Sequence, residues 1–316
     1  MKTKIWIWIG AFAVLLGAVL FAAAMTANRW DFTALGTDTF RTSEYEFGDT
    51  IRDISVSVSD ADVVFAPADG EKCRVAVYER ENEPHTVTVS DGTLSVSVND
   101  EGEWFDHIGI NVGSPRVTVY LPEKEYSALK VEGTTCGVTV PSCFTFERAE
   151  ISVTTGDLTV NAPVSDSLKI RSTTGDITVG GISARRVELS VTTGDVTVSD
   201  VKCSGSVAVG VTTGEVKVEN LTCAVFESDG STGDITLKNV KASEKITAER
   251  STGDVTILDS DAPSLEIETT TGDVSGSLRT EKVFLVHTST GNVSVPATVT
   301  GGRCEITTST GDVRFD

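Results

Sequence analysis

Aromatic residues make up only 6% of this 316-residue chain, which also has just two methionines and three histidines. A core for a chain this long must therefore be filled by Val, Ile, Leu and Ala. A membrane β-barrel needs aromatic girdles at both interfaces, and residues 151–316 contain only Phe226, Phe284 and Phe315 as aromatics. His85, His107 and His287 are isolated in sequence and read as surface residues rather than bases or metal ligands. The six cysteines, Cys73, Cys136, Cys143, Cys203, Cys223 and Cys304, form no Cys-x-x-Cys pair, so metal-site spacing is absent. No Gly-x-Ser-x-Gly elbow, phosphate loop or His-Glu-x-x-His occurs. The chain thus reads as a non-enzyme, with no catalytic residue, cofactor or metal ligand. Basic residues are outnumbered, 26 against 46 acidic, for a net charge of −20. Such a surface repels nucleic acid and anionic lipid headgroups and attracts cations or cationic peptides.

The N-terminus differs in composition. Lys2 and Lys4 precede an uncharged run from Ile5 to Asn28, long enough to cross a bilayer as a tilted helix. Trp6 and Trp8 at one end and Trp30 at the other suit interfacial belts. The reading is a transmembrane anchor at 5–27, with residues 1–4 cytoplasmic and 28–316 outside the cytoplasm. The alternative is secretion after signal cleavage near Ala22-Ala23-Ala24.

The rest of the chain is repetitive. A Thr-Gly-Asp-Val-Thr-Val core recurs with glycines at 156, 175, 194, 214, 233, 253, 272, 291 and 311, always 19 or 20 residues apart. In a degenerate earlier copy, Cys136 takes the glycine position. Two residues after the glycine come Leu158, Ile177, Val196, Val216 and Ile235, and four after it Val160, Val179, Val198, Val218 and Leu237. Five before it come Ile151, Ile170, Leu189 and Val209. Polar residues alternate with these, so each copy holds two short strands with one buried face. No copy can bury that face alone, so stacking must supply the core. The expected fold is all-β, a parallel, right-handed β-solenoid of about 19–20 residues per coil, preceded by one N-terminal transmembrane helix. Glycine allows the positive φ of a tight corner; the second corner reads as less regular. An antiparallel meander with Thr-Gly-Asp tips is the rival fold. Nine residues after the glycine come Ala184, Cys203, Cys223, Ala242 and Ala262, a column of small side chains. It marks Cys203 and Cys223 as buried free thiols.

Residues 28–50 read as a polar tether, 51–130 as an N-terminal β cap and 131–316 as the repeats. Asp91-Gly92 signals a hairpin within the cap, and Asn99–Gly113, with Trp104, Phe105 and His107, a loop. The strand-turn-strand pattern, Val117-Thr-Val-Tyr-Leu-Pro122 and the nine Gly cores together resemble the bacterial putative-adhesin family of repeated β-strands, a domain of unknown function. The resemblance implies a β-solenoid at the cell envelope and supplies no catalytic residues.

One column carries charge. The residue after each glycine is Asp157, Asp176, Asp195, Glu215, Asp234, Asp254, Asp273, Asn292 or Asp312. In stacked coils these acids form a line, held by corner amides and screening or available to Ca²⁺ or a cationic peptide. The leading function is a non-enzymatic, cell-surface, adhesin-like solenoid with an unknown surface ligand. The alternatives are an envelope-stress or cationic-peptide binding module and a glycan-active β-helix enzyme. With Asp316 ending the final rung uncovered, self-association is expected.

Overall fold

The computed structural model describes residues 2–27, 39–98 and 113–316. The loop with Trp104, Phe105 and His107, as well as Trp30, lies outside the described residues. One helix spans Lys2–Ala27, with side chains described at Gly10 and from 12 to 27. Among the described residues no helix is long and apolar enough to cross a membrane. The expected span at 5–27 is therefore not established by the fold.

All 27 strands among the described residues join one continuous sheet, and in the repeat region the pairing is parallel at one-coil spacing. Ile177 pairs with Val196, Val196 with Val216 and Val216 with Ile235. The same register holds on the other side, where Ile151 pairs with Ile170 and Ile170 with Leu189. Those pairings exclude the meander, which would set these residues far apart. The central coils have three extended sides rather than two. In the Gly194 coil these are Arg186–Thr193, residues 196–199 and residues 201–203. The seven alternate residues Val187, Leu189, Val191, Val196, Val198, Val201 and Cys203 all point into the lumen and are buried. At about 25 cal/mol per Å² of apolar area, such shared aliphatic columns are the main stabilising term of the rod.

Two of the corners are regular. Gly194 adopts φ 144°, and a Cβ there would lie 2.2 Å from the carbonyl oxygen of Gly175 in the preceding coil. Only glycine fits, because both the backbone angle and the close approach forbid a side chain. The second corner, expected to be irregular, is a left-handed residue in five successive coils, namely Gly181, Asp200, Asn220, Asn239 and Asp259. Asn and Asp tolerate this conformation better than other side-chain-bearing residues. Their six-residue offset from the glycine was the signal available in the sequence.

The coils do not stack in chain order. Strand Ser264–Thr271 pairs with Gly302–Thr310, which in turn pairs with Lys282–Thr290. The final coil is thus inserted between the Gly272 and Gly291 coils, and the Gly291 coil is outermost. Gly301 and Gly302 permit the return, since a Cβ on them would meet the carbonyl oxygens of Glu281 at 1.9 Å and Pro263 at 2.4 Å. The expectation that Asp316 ends the outermost rung is corrected accordingly. At the other end, Asp53–Val58 lies between Thr93–Val98 and Glu125–Thr135. His85–Ser90 pairs antiparallel with Thr93–Val98 through Asp91-Gly92, the expected hairpin. Phe40–Phe47, placed within the polar tether by sequence, is instead a strand antiparallel to Cys73–Arg80.

Candidate functional site

The acids after the corner glycines do form one column, and all but Glu215 join their coil to the next. The Oδ1 of Asp157 accepts a hydrogen bond from the backbone N–H of Asp176 at 2.9 Å, and Asp176 does the same for Asp195. Asp195 serves Glu215 at 2.8 Å, Asp234 serves Asp254 and Asp254 serves Asp273. The reordered end keeps the pattern: Asp273 accepts from Asp312, and Asp312 from Asn292. Asp62 in the cap begins the column by accepting from the N–H of Gly137 at 2.9 Å. Gly137 has no side chain to continue the line towards Asp157. Among the described residues Glu215, one methylene longer than aspartate, is the acid of the column whose side chain does not accept the amide of the next coil.

These bonds explain how a stack of like charges is tolerated. Two charges about 4.8 Å apart repel by roughly 0.9 kcal/mol in water, whereas a net hydrogen bond contributes about 0.5–1.5 kcal/mol. The hydrogen bond from Asn292 N–H holds the Asp312 carboxyl below its ordinary value, with Arg314 adding to the effect. Among the described residues Asp312 is the only acid of the column with an ion-pair partner, Arg314. Asp157, Asp176, Asp195, Glu215, Asp234, Asp254 and Asp273 are exposed, each bearing a carboxylate towards solvent. No group of three or more His, Cys, Asp or Glu side chains among the described residues could hold a metal ion.

A second polar ladder runs along the other corner. Asn220 Nδ2 donates to Asp200 Oδ1 at 2.8 Å and Asn239 Nδ2 to Asn220 Oδ1 at 2.6 Å. Arg279 closes it by donating to Asn239 Oδ1 and Asp259 Oδ2, each at 2.7 Å.

Sequence reasoning missed several buried polar groups. His85, expected at the surface, is buried in the cap beside Glu79, whose side chain is wholly enclosed. Glu79 Oε2 accepts from the His85 backbone N–H at 2.6 Å and lies 3.1 Å from His85 Nδ1. Its Oε1 accepts from Ser43 Oγ at 2.7 Å and Arg41 Nε at 3.0 Å. Burial pushes the carboxyl up, but the hydrogen bonds from His85, Ser43 and Arg41 outweigh it and hold Glu79 below the usual range. The Glu side chain sits on an alternating strand, Cys73–Arg80, whose inward face includes position 79; that alternation was the available signal. Arg250 is likewise buried in the lumen, donating to the carbonyls of Gly233 and Glu249. Gly230 makes room for it, as a Cβ there would lie 2.7 Å from its guanidinium. His287 is exposed, as expected. All six cysteines are free thiols, and Cys203 and Cys223 occupy adjacent buried rungs, as the small-residue column implied.

A family model described as Toastrack DUF4097 matches residues 51–222 and 204–316. No curated protein matches the chain. Among solved structures, one described as a putative adhesin from Parabacteroides distasonis is 13% identical, covering 77% of this chain and 98% of its own, with a TM-score of 0.46. Another putative adhesin, from Bacteroides fragilis, is 14% identical over 88% of this chain and 97% of its own, at a TM-score of 0.41. A structure described as a putative lipid binding protein from Parabacteroides distasonis is 18% identical over 76% and 95% respectively, at 0.43.

Proposed function

The chain belongs to the Toastrack DUF4097 family, and from that premise we propose that it is a non-enzymatic, adhesin-like solenoid rod anchored in the membrane at the cell surface. The observation that carries this reading is the coil-to-coil aspartate ladder. Side chains that could have converged on a substrate instead accept the amide of the next coil, which stiffens a long, flat, exposed face. In the proposed anchor, the described apolar segment 12–27 continues through the uncharged stretch Ile5–Ala11 of the sequence. Phe12, Val14, Leu15, Leu16, Val19, Leu20 and Phe21 are all exposed, on every side of the helix, as lipid contact requires. The Lys2–Ala27 helix would reach about 39 Å at 1.5 Å per residue, against about 30 Å of hydrocarbon. Lys2 and Lys4 favour a cytoplasmic start for it under the positive-inside rule.

The test is expression of the full chain in a bacterial host, followed by alkaline extraction of membranes and protease treatment of intact cells. Retention in the membrane with the solenoid digested from outside is expected. Recovery in the soluble fraction refutes the anchor. Comparing surface attachment of cells carrying the full chain with cells carrying only residues 1–50 tests adhesion; equal attachment refutes it.

A second reading, a module that binds cationic peptides, is favoured by the seven exposed acids of the column without an ion-pair partner. Calorimetry of the full chain in detergent with polylysine and, separately, Ca²⁺ tests it. Salt-sensitive heat with polylysine is the expected result, and no heat removes the reading.

A further inference from the structure

We propose that the outermost, Gly291 coil is a homotypic contact surface, joining two copies of this chain tip to tip across a two-fold axis.

The strand edge there is open. Lys282–Thr290 pairs only with Gly302–Thr310, and Val293–Ser294 only with Val313–Phe315, among the described residues. One side of each strand is thus left without a strand partner. Such edges are usually blunted by charge, proline or covering strands. The cap end of the rod has two outer strands: His85–Ser90 buries Val87 and turns Thr86 and Thr88 to solvent, and the other is blunted by charge. That other strand, Phe40–Phe47, carries Arg41, Glu44 and Glu46, which pair with Glu79, Arg74 and Lys72. The tip is different. Its single cation, Lys282, is buried against Asp261 at 2.5 Å, while Leu285 is 41%, Val293 47% and Val299 90% exposed.

Charge identifies the occupant. The chain carries −20 overall, yet residues 282–304 contain no Asp or Glu. Among the residues that follow the nine corner glycines only Asn292 is neutral, and the inserted final coil puts that residue on the outermost rung. Two strongly acidic rods repel wherever their acids face each other, and a neutral, apolar tip is where like molecules can meet. A cationic partner would instead be matched by an acidic tip. Because only the tip sets exposed aliphatic side chains beside an open strand edge among the described residues, the contact is the same patch on both copies and closes at two. Edge strands brought together by such an axis run antiparallel and complete each other's ladders. If the rod is anchored through the helix preceding its cap, as proposed above, tip-to-tip pairing joins two facing membranes.

Sedimentation velocity of the full chain in mild detergent tests the contact. The expected result is a mass of two chains for the native protein and a dissociation constant about tenfold or more weaker for Leu285→Glu/Val293→Glu. Leu258→Glu, equally exposed but on another coil, is expected to leave the dimer unchanged. Far-UV circular dichroism checks that each variant is folded, and Val299→Glu, at a side chain already exposed, serves if the double variant misfolds. A monomer at every concentration, a dimer that survives both tip variants, a ladder of higher oligomers, or equal dissociation by Leu258→Glu overturns the proposal. None of these outcomes depends on whether the helix is recovered in membranes.

Discussion

Asp254 and Asp273 are like charges at the same corner of adjacent coils, yet they are bonded to one another: Asp254 Oδ1 accepts the backbone N–H of Asp273 at 2.8 Å. The acidic column is therefore a row of amide caps as well as a row of charges, and the two roles can be separated by substitution.

Asp254→Asn keeps an acceptor oxygen and removes one charge, whereas Asp254→Ala removes both. The alanine variant is expected to lose about 1 kcal/mol, as for a lost cap. The asparagine variant is expected to match or slightly exceed the native protein, with its advantage shrinking as salt screens the column. Urea denaturation at low and high salt measures both.

The Glu79 cluster predicts a pH dependence. Its carboxyl lies below the ordinary value of 4.5 in the fold, so its stabilisation is fully present above the unfolded value and is lost as pH falls through the folded one. Glu79→Gln is expected to lower stability by about 2 kcal/mol at neutral pH, where the bonds to Arg41 and the His85 amide are weakened. It should also flatten the loss of stability in acid. Denaturation midpoints from neutral pH to pH 3 compare the two proteins.

Coil order has its own consequence. If the final coil lies between the Gly272 and Gly291 coils, deleting residues 301–316 removes the partner of both neighbours. Amides of 282–294 are then expected to lose hydrogen-exchange protection together with those of 264–278. In sequential stacking, the 282–294 coil would stay protected against 264–278.

The thiols are graded by burial. Desolvation pushes Cys223 up to about 12, with the neighbouring Cys203 thiol adding to it, and burial pushes Cys304 to about 12. Cys143 is only half-buried. Native protein at pH 8 is expected to titrate one thiol quickly with a disulfide reagent, and all six only after unfolding.

The periodic parts of the molecule were legible from residues alone. Val196, Val216 and Ile235 share a lumen because apolar side chains at one offset in every copy leave few other places for them, and the glycine corners follow from a positive φ. The acidic column was legible too, though not its bonds, because which oxygen meets which amide depends on the coil rise. Glu79, His85 and Arg250 were not legible. Each is a polar residue at an inward position, and only partners distant in sequence, Ser43 and Arg41 for Glu79 and Gly230 for Arg250, make that burial tolerable.

Sequence by itself determined a stack of parallel coils, its aliphatic columns and the line of acids on one corner, all of which are local properties repeated at a fixed period. Tertiary structure alone decided which coil follows which. Near-identical repeats offer near-identical edges, so local preference does not separate a coil added at the tip from one inserted beneath it. The close passage of Gly301 and Gly302 past Glu281 and Pro263 resolves that choice, and it leaves the neutral Asn292 coil facing solvent.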